Sequence, residues 1–305
     1  MRKYIKYMGI GLVCALLFCV VKNCVAYRLP CKSSGMQAAI QEQKIDSIFL
    51  GSSLFRQGID IHTALEETKG NCFVLSYNGN QPVQMREELN MLLEHQVEIE
   101  NLYVDLYVYS SALRPAISDT RLIWDLDMRG KIDVFSDMAK YSQAGAREFV
   151  DFFISANNEY FLFYPVYQLA MKNEFYKGGN IRETHGNTKD VLDYLTTPGD
   201  REGIHDVQKQ ALSDIIAMCK EHEINLIFLE IPKYETLDQA DYYQRLRGEL
   251  EEVVKGQEYI DASQVAFDNG NSENYQDLFH LSAKGRREYT KQLFDVLNVE
   301  ERLLQ

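Results

Sequence analysis

The sequence predicts an α/β domain in which a mostly parallel sheet is covered by helices on both faces, a three-layer α/β/α architecture. Short apolar runs that read as strands alternate with single stretches of helical periodicity, the pattern of βαβ units. Small polar residues cluster where those runs end, at Gly51-Ser52-Ser53, Asn78-Gly79-Asn80 and Ser110-Ser111, and sheets of this kind bind ligands at the carboxyl ends of their strands. The chain has 305 residues, 46% of them apolar and 11% aromatic, which is enough to bury a proper core and excludes a disordered polymer.

The first strand is Ser47 to Leu50, a short buried run within IDSIFLGSSLFRQG, and the glycine and small hydroxyls after it allow a sharp turn. Cys72 to Leu75 is the second strand, closed by the Asn78-Gly79-Asn80 turn. Pro82 suits the first turn of a helix whose Met85, Leu89, Leu92 and Leu93 share a face. Leu102 to Tyr109 is the third strand. From Ala112 to Glu202 the alternation stops, and residues 112–202 read as a helical insertion bordering the cleft. It holds Trp124 and a cluster that includes Phe149, Phe152, Phe153, Tyr160, Phe161, Phe163 and Tyr164. Those rings are expected to form the insertion's own core, with stacking on sugar rings as the alternative. Leu212, Ile215, Ile216 and Cys219 stripe the next helix, Asn225 to Ile231 is a strand stopped by Pro232, Tyr259 to Asp261 is a weak last strand, and Tyr289, Leu293 and Val296 stripe the final helix.

Residues 1–26 look like an address. Arg2, Lys3 and Lys6 precede the 14-residue uncharged run Met8 to Val21, about 21 Å as a helix against a hydrocarbon core of about 30 Å. The segment is expected to be an uncleaved anchor with Lys6 and Lys22 snorkelling, or a signal peptide cut near Cys24-Val25-Ala26. Either places the rest outside the cytoplasm: a linker over 27–44, then the domain over 45–305.

The net charge is −13, and without the four basic residues of that segment the remainder holds 28 basic against 45 acidic residues, or −17. Such a surface repels phosphate backbones, so nucleic acid is not an expected partner. Cys72 and Cys219, the cysteines of the domain body, are expected to be lone buried thiols. There is no C-x-x-C pair and no H-E-x-x-H, so neither a metal nor another cofactor is expected.

A serine hydroxyl needs an imidazole within hydrogen-bond reach and a carboxylate that orients the ring before it can act as a nucleophile. NSENYQDLFHLSAKGRREY, Asn271 to Tyr289, supplies both, with Asp277 three residues before His280 and Ser282 placed to cap the following helix. His62, His95, His185, His205 and His222 lack such a motif, and His95 and His222 fall near helix ends.

Gly-Ser-Ser after the first strand, Asn-Gly-Asn after the second and Asp277-Leu-Phe-His280-Leu-Ser in the last loop resemble the SGNH/GDSL hydrolase superfamily, in particular its membrane-anchored branch of DltD-like and envelope polysaccharide O-acetylation proteins. The resemblance covers Asp46 to Asn80 and Tyr259 to Leu297. It implies a flavodoxin-like fold with Ser53 as nucleophile, His280 as base and Asp277 as its orienting partner, Ser52 being structural. It further implies an oxyanion hole of the Ser53 and Gly79 amides plus an asparagine in a G-x-N-D block after the third strand. That block is absent, the chain reading LYVYSSAL from Leu106 to Leu113, and Asn80 is the first-ranked substitute, with Asn78, Ser110 or Ser111 behind it. The implied activity is that of a membrane-tethered serine esterase or O-acyltransferase acting on acylated envelope or extracellular polysaccharide, with a membrane O-acyltransferase as partner. D-alanyl transfer to teichoic acid and a noncatalytic glycan-binding scaffold are the alternatives.

Overall fold

A computed structural model of the chain describes residues 2–28, 34–69, 71–106, 119–142, 177–180, 182–184 and 204–304. Five strands, β1 (Lys44–Gly51), β2 (Cys72–Ser76), β3 (Glu98–Asp105), β4 (Asn225–Leu229) and β5 (Glu258–Ile260), form one sheet in the order β2-β1-β3-β4-β5. Every pairing is parallel. This is the flavodoxin-like order, and its direction reverses between β1 and β3, so the crevice above their carboxyl ends is where such a fold binds ligands.

The helices of the described residues are α1 (Arg2–Arg28), α2 (Met36–Ala39), α3 (Ser53–Gly58), α4 (Ile61–Glu67), α5 (Pro82–Glu94), α6 (Thr120–Asp125), α7 (Met128–Ser142), α8 (Asp206–Glu221), α9 (Glu235–Asp238), α10 (Asp241–Val253) and α11 (Ala283–Leu304). Because side chains alternate across a strand, the sheet feeds two cores. Ile48, Leu50, Phe73, Leu75, Leu102, Val104 and Phe228 pack on one face against Met85, Leu89 and Leu92 of α5, Leu212 and Ile215 of α8, and Leu246 and Leu250 of α10. Phe49, Val74, Tyr103, Ile227 and Leu229 pack on the other face against Leu54 and Phe55 of α3, Ile61 and Ala64 of α4, and Tyr289, Leu293 and Phe294 of α11. Phe49 stacks on Tyr103 in the neighbouring strand, with ring centroids 4.5 Å apart. Cys72 belongs to the second core and Cys219 to the first, so the sheet separates them; both are free, and burial pushes each thiol up to about 12.

Boundaries differ from the sequence expectation mainly at β3. It begins at Glu98 and ends at Asp105, because Ile99 alternates with exposed Glu98 and Glu100 on a half-wet stretch that carries no apolar run. Ser110 and Ser111 lie outside the described residues. Five helices, α2, α3, α4, α9 and α10, are additional to those expected from periodicity. Of the segment read as an insertion, α6 and α7 are described, with Leu122, Leu126 and Val134 packed on Tyr77. The aromatic cluster from Phe149 to Tyr164 and the side chain of Trp124 lie outside the described residues. In α1, side chains from Lys6 to Phe18 are exposed, and among the described residues no helix is long and apolar enough to cross a membrane.

Candidate active site

Gly51 ends β1 because nothing larger fits there. A Cβ on it would lie 2.7 Å from Cβ of Asp105 and from the ring of Phe55. The chain then turns directly into α3. Ser52 caps that helix, its hydroxyl accepting from the Leu54 N–H at 3.1 Å. Ser53 is therefore the first helical residue, at the carboxyl edge of the sheet, with its N–H free of any intrahelical acceptor.

The loop between β5 and α11 reaches Ser53 from the far end of the chain. An antiparallel bridge between Tyr275 and Leu281 pinches its base, and the Gln276 N–H donates to the His280 carbonyl at 2.8 Å. Inside the loop Asp277 does two things. Its Oδ1 accepts the Phe279 and His280 N–H groups at 2.8 and 2.9 Å, and its Oδ2 lies 2.8 Å from Nδ1 of His280. The spacing of three residues thus lets one carboxylate build the turn and orient the ring. Burial alone would raise the Asp277 carboxyl; the His280 ring and those two amides outweigh it and hold the group below its ordinary value. A carboxylate only accepts, so Nδ1 carries the ring proton and Nε2 is left to accept. Nε2 lies 2.9 Å from Ser53 Oγ, across 227 positions of sequence. Ser282 caps α11, accepting from the Gly285 N–H at 3.1 Å.

A second tie joins the two halves. Gln57, one turn beyond Ser53 on α3, accepts through Oε1 from Gln276 at 3.1 Å and from Asn180 at 2.7 Å.

The Tyr77 to Asn80 turn closes the third side. Gly79 adopts φ +64°, a conformation that favours glycine. Among the described residues neither the Gly79 nor the Ser53 N–H donates a hydrogen bond, so both amides are unspent. Asn80 differs from its expected role. It is 4% exposed, and its Nδ2 hydrogens are committed to the Gly51 carbonyl at 3.2 Å and to Glu88 at 2.7 Å. That amide braces the turn against β1 and offers no hydrogen to an oxyanion. Asn78 likewise turns its side-chain oxygen to Arg56, at 3.5 Å.

Carboxylates that carry no sequence motif hold this turn. Asp119 accepts the Asn78 N–H at 2.8 Å, Asp125 accepts the Tyr77 hydroxyl at 2.9 Å, and Glu88 accepts from Asn80. Burial would raise Asp119, but Arg121 and the backbone amides hold it below its ordinary value. Glu88, wholly buried, is raised well above the ordinary carboxylate range, first by burial, against the pull of the Asn80 hydrogen bond. Asp105 at the end of β3 is another such residue; it accepts from Ser52.

His95 and His222 are the C-caps of α5 and α8, and His205 precedes α8. His185 lies outside the described residues. Among the described residues no cluster of histidine, cysteine and carboxylate side chains could hold a metal ion.

No family model and no curated protein matches the chain. Among solved structures, a Bacteroides fragilis protein designated an acylhydrolase aligns at 10% identity over 87% of this chain and 89% of its own, with a TM-score of 0.42. A GDSL-like lipase from Bacteroides thetaiotaomicron aligns at 12% identity over 83% of this chain and 88% of its own, with a TM-score of 0.38. At these values the alignments describe a loose likeness, and the chemistry rests on the side chains above.

Proposed function

We propose that the chain is a serine hydrolase of SGNH type that cleaves or transfers acyl esters. The observation that carries this reading is the continuous line Asp277, His280, Ser53, with contacts of 2.8 and 2.9 Å, ending at the carboxyl edge of a parallel sheet. Ser53 Oγ attacks the acyl carbonyl while its proton passes to Nε2 of His280. The imidazolium is stabilised by Asp277, and the Ser53 and Gly79 amides receive the oxyanion. Nε2 then returns the proton to the departing alkoxide, leaving an acyl-Ser53 ester. Water completes hydrolysis; a sugar hydroxyl completes transfer.

The His280 and Asp277 side chains are 26% and 34% exposed, which suits an ester carried on a bulky polymer rather than a small substrate enclosed in a cavity. The net charge of −17 beyond the first 26 residues disfavours a polyanionic acceptor, so the substrate proposed is a neutral glycan bearing acetyl esters. The exposed apolar side chains of α1 and its three leading basic residues support attachment at a membrane surface, extracytoplasmic if the segment is an export signal.

Labelling with a fluorophosphonate tests the chemistry. The wild type should carry the label on Ser53, and Ser53→Ala and His280→Ala should carry none. A folded wild type that stays unlabelled would refute an activated serine and favour a binding scaffold.

A further inference from the structure

We infer that Ser52 and Asp105 form a positioning pair that sets the nucleophile in its reactive orientation, a proposal that rests on the hydrolase reading above. Asp105 is 1% exposed at the end of β3. The register that pairs Leu50 with Val104 brings it level with Gly51, whose missing Cβ leaves room for the Asp105 side chain. From there Asp105 Oδ2 accepts both the N–H of Ser52, at 3.1 Å, and its hydroxyl. The same hydroxyl accepts the Leu54 N–H. Main chain and side chain of the one residue between Gly51 and Ser53 are thus pinned to a single carboxylate oxygen, and Ser52 is held at φ −87°, ψ −165°.

That torsion sets the direction in which α3 departs. Ser53 Oγ meets His280 Nε2 at 2.9 Å only if α3 leaves β1 at this angle, and the Ser53 N–H faces the same crevice only from the same turn. A carboxylate suits the task better than a neutral acceptor, because charge-assisted hydrogen bonds are shorter and about twice as strong. In the segment after β4, Lys233, 1% exposed, is anchored on the Ile231 carbonyl; burial lowers its ammonium, against the opposing pull of Glu230 and Asp105. Asp105 and Ser52 touch no reacting atom and act through Ser53.

The test uses the full chain with Asp105→Asn, Ser52→Ala, Ser52→Asp and the exchange Ser52→Asp/Asp105→Ser. The readouts are the rate of fluorophosphonate labelling, kcat and KM on p-nitrophenyl acetate, and the ¹⁵N resonance of His280 Nε2. Misplacing a reacting atom by about 1 Å costs about 100-fold, so Asp105→Asn and Ser52→Ala should each slow labelling and kcat by roughly 10- to 100-fold, with KM little changed and the Nε2 resonance shifted. The exchange, which restores one carboxylate and one hydroxyl, should recover most of the rate lost in Ser52→Asp. A cooperatively melting Asp105→Asn that labels at the wild-type rate overturns the proposal. If Asp105→Asn does not fold, Ser52→Ala, which removes only a hydroxyl, decides in the same way. A wild type that never labels, yet whose Nε2 resonance moves in Asp105→Asn, refutes the hydrolase reading while supporting the pair; an unmoved resonance overturns the pair itself.

Discussion

Replacing Asp125 by asparagine should remove a pH dependence from the stability of the fold. Asp125 is 2% exposed on α6, and burial pushes its carboxyl from 3.8 up to about 7, against the opposing pull of hydrogen bonds from Ser34 and Tyr77 and the charge of Arg121. Each unit of such a shift is worth about 1.4 kcal/mol, so ionised Asp125 costs the native state roughly 4 kcal/mol relative to the unfolded chain. The native state binds this proton more tightly than the unfolded state. Between about pH 4 and 7, therefore, the unfolded chain has released the proton and the native chain has not, and stability falls as pH rises through that window before levelling off. Asparagine does not titrate, and its carbonyl still accepts the Tyr77 hydroxyl. Urea unfolding of both proteins at pH 5 and pH 8 is the assay. The variant should gain on the wild type by about 2 to 3 kcal/mol between the two pH values; Glu88 is raised first by burial and in part by the Asp125 charge, so the difference includes the coupling between the two carboxyls. A stability difference that is the same at both pH values would refute the reasoning.

Other substitutions separate roles within the site. Asp277→Asn keeps an acceptor for the Phe279 and His280 amides but loses the charge beside Nδ1, so kcat should fall on the order of 10³- to 10⁴-fold with little change in melting temperature; a loss below about 10-fold would mean that the carboxylate only shapes the loop. Asn80→Ala strands the Glu88 carboxyl and should cost about 1 to 3 kcal/mol of stability. Were Asn80 an oxyanion donor instead, turnover would drop about 100- to 1000-fold at unchanged stability, and measuring both quantities distinguishes the two. Gly51→Ala forces a methyl against Asp105 and Phe55 and should destabilise by about 1 to 3 kcal/mol while slowing labelling of Ser53, read by denaturant titration and probe kinetics on the same samples.

Much of the fold is legible in the sequence because it is periodic. The apolar centres of β1, β2 and β4, the stripes of α5, α8 and α11, and Pro82 at the start of α5 are local signals, each visible within a dozen residues. The short α3 and α4 are not, since six or seven residues hold too little periodicity to declare themselves. Within the site, Ser53, Asp277 and His280 can be singled out because a nucleophile at a strand end and a D-x-x-H loop have recognisable neighbours. Asp105 cannot. In LYVDLYV it reads as one polar residue in a strand, and its meaning depends on the register of β3 against β1, a long-range fact. Asn80 misleads for a related reason: an asparagine in a turn advertises hydrogen-bonding capacity without saying which way it faces, and the buried Glu88 of α5 decides that.

The architecture of the triad also makes it a gauge of native docking. Asp277 and His280 are neighbours that can find each other in an otherwise open chain, since the turn they share is closed by Asp277 itself. Ser53 has no such local help; it meets the ring only when β1 has entered the sheet and the last loop has been clasped to α3 through Gln57 and Gln276. Reactivity of this one hydroxyl therefore reports assembly of the first and last segments of the domain. During refolding it should emerge with the final cooperative step, after the bulk of the helical signal has returned.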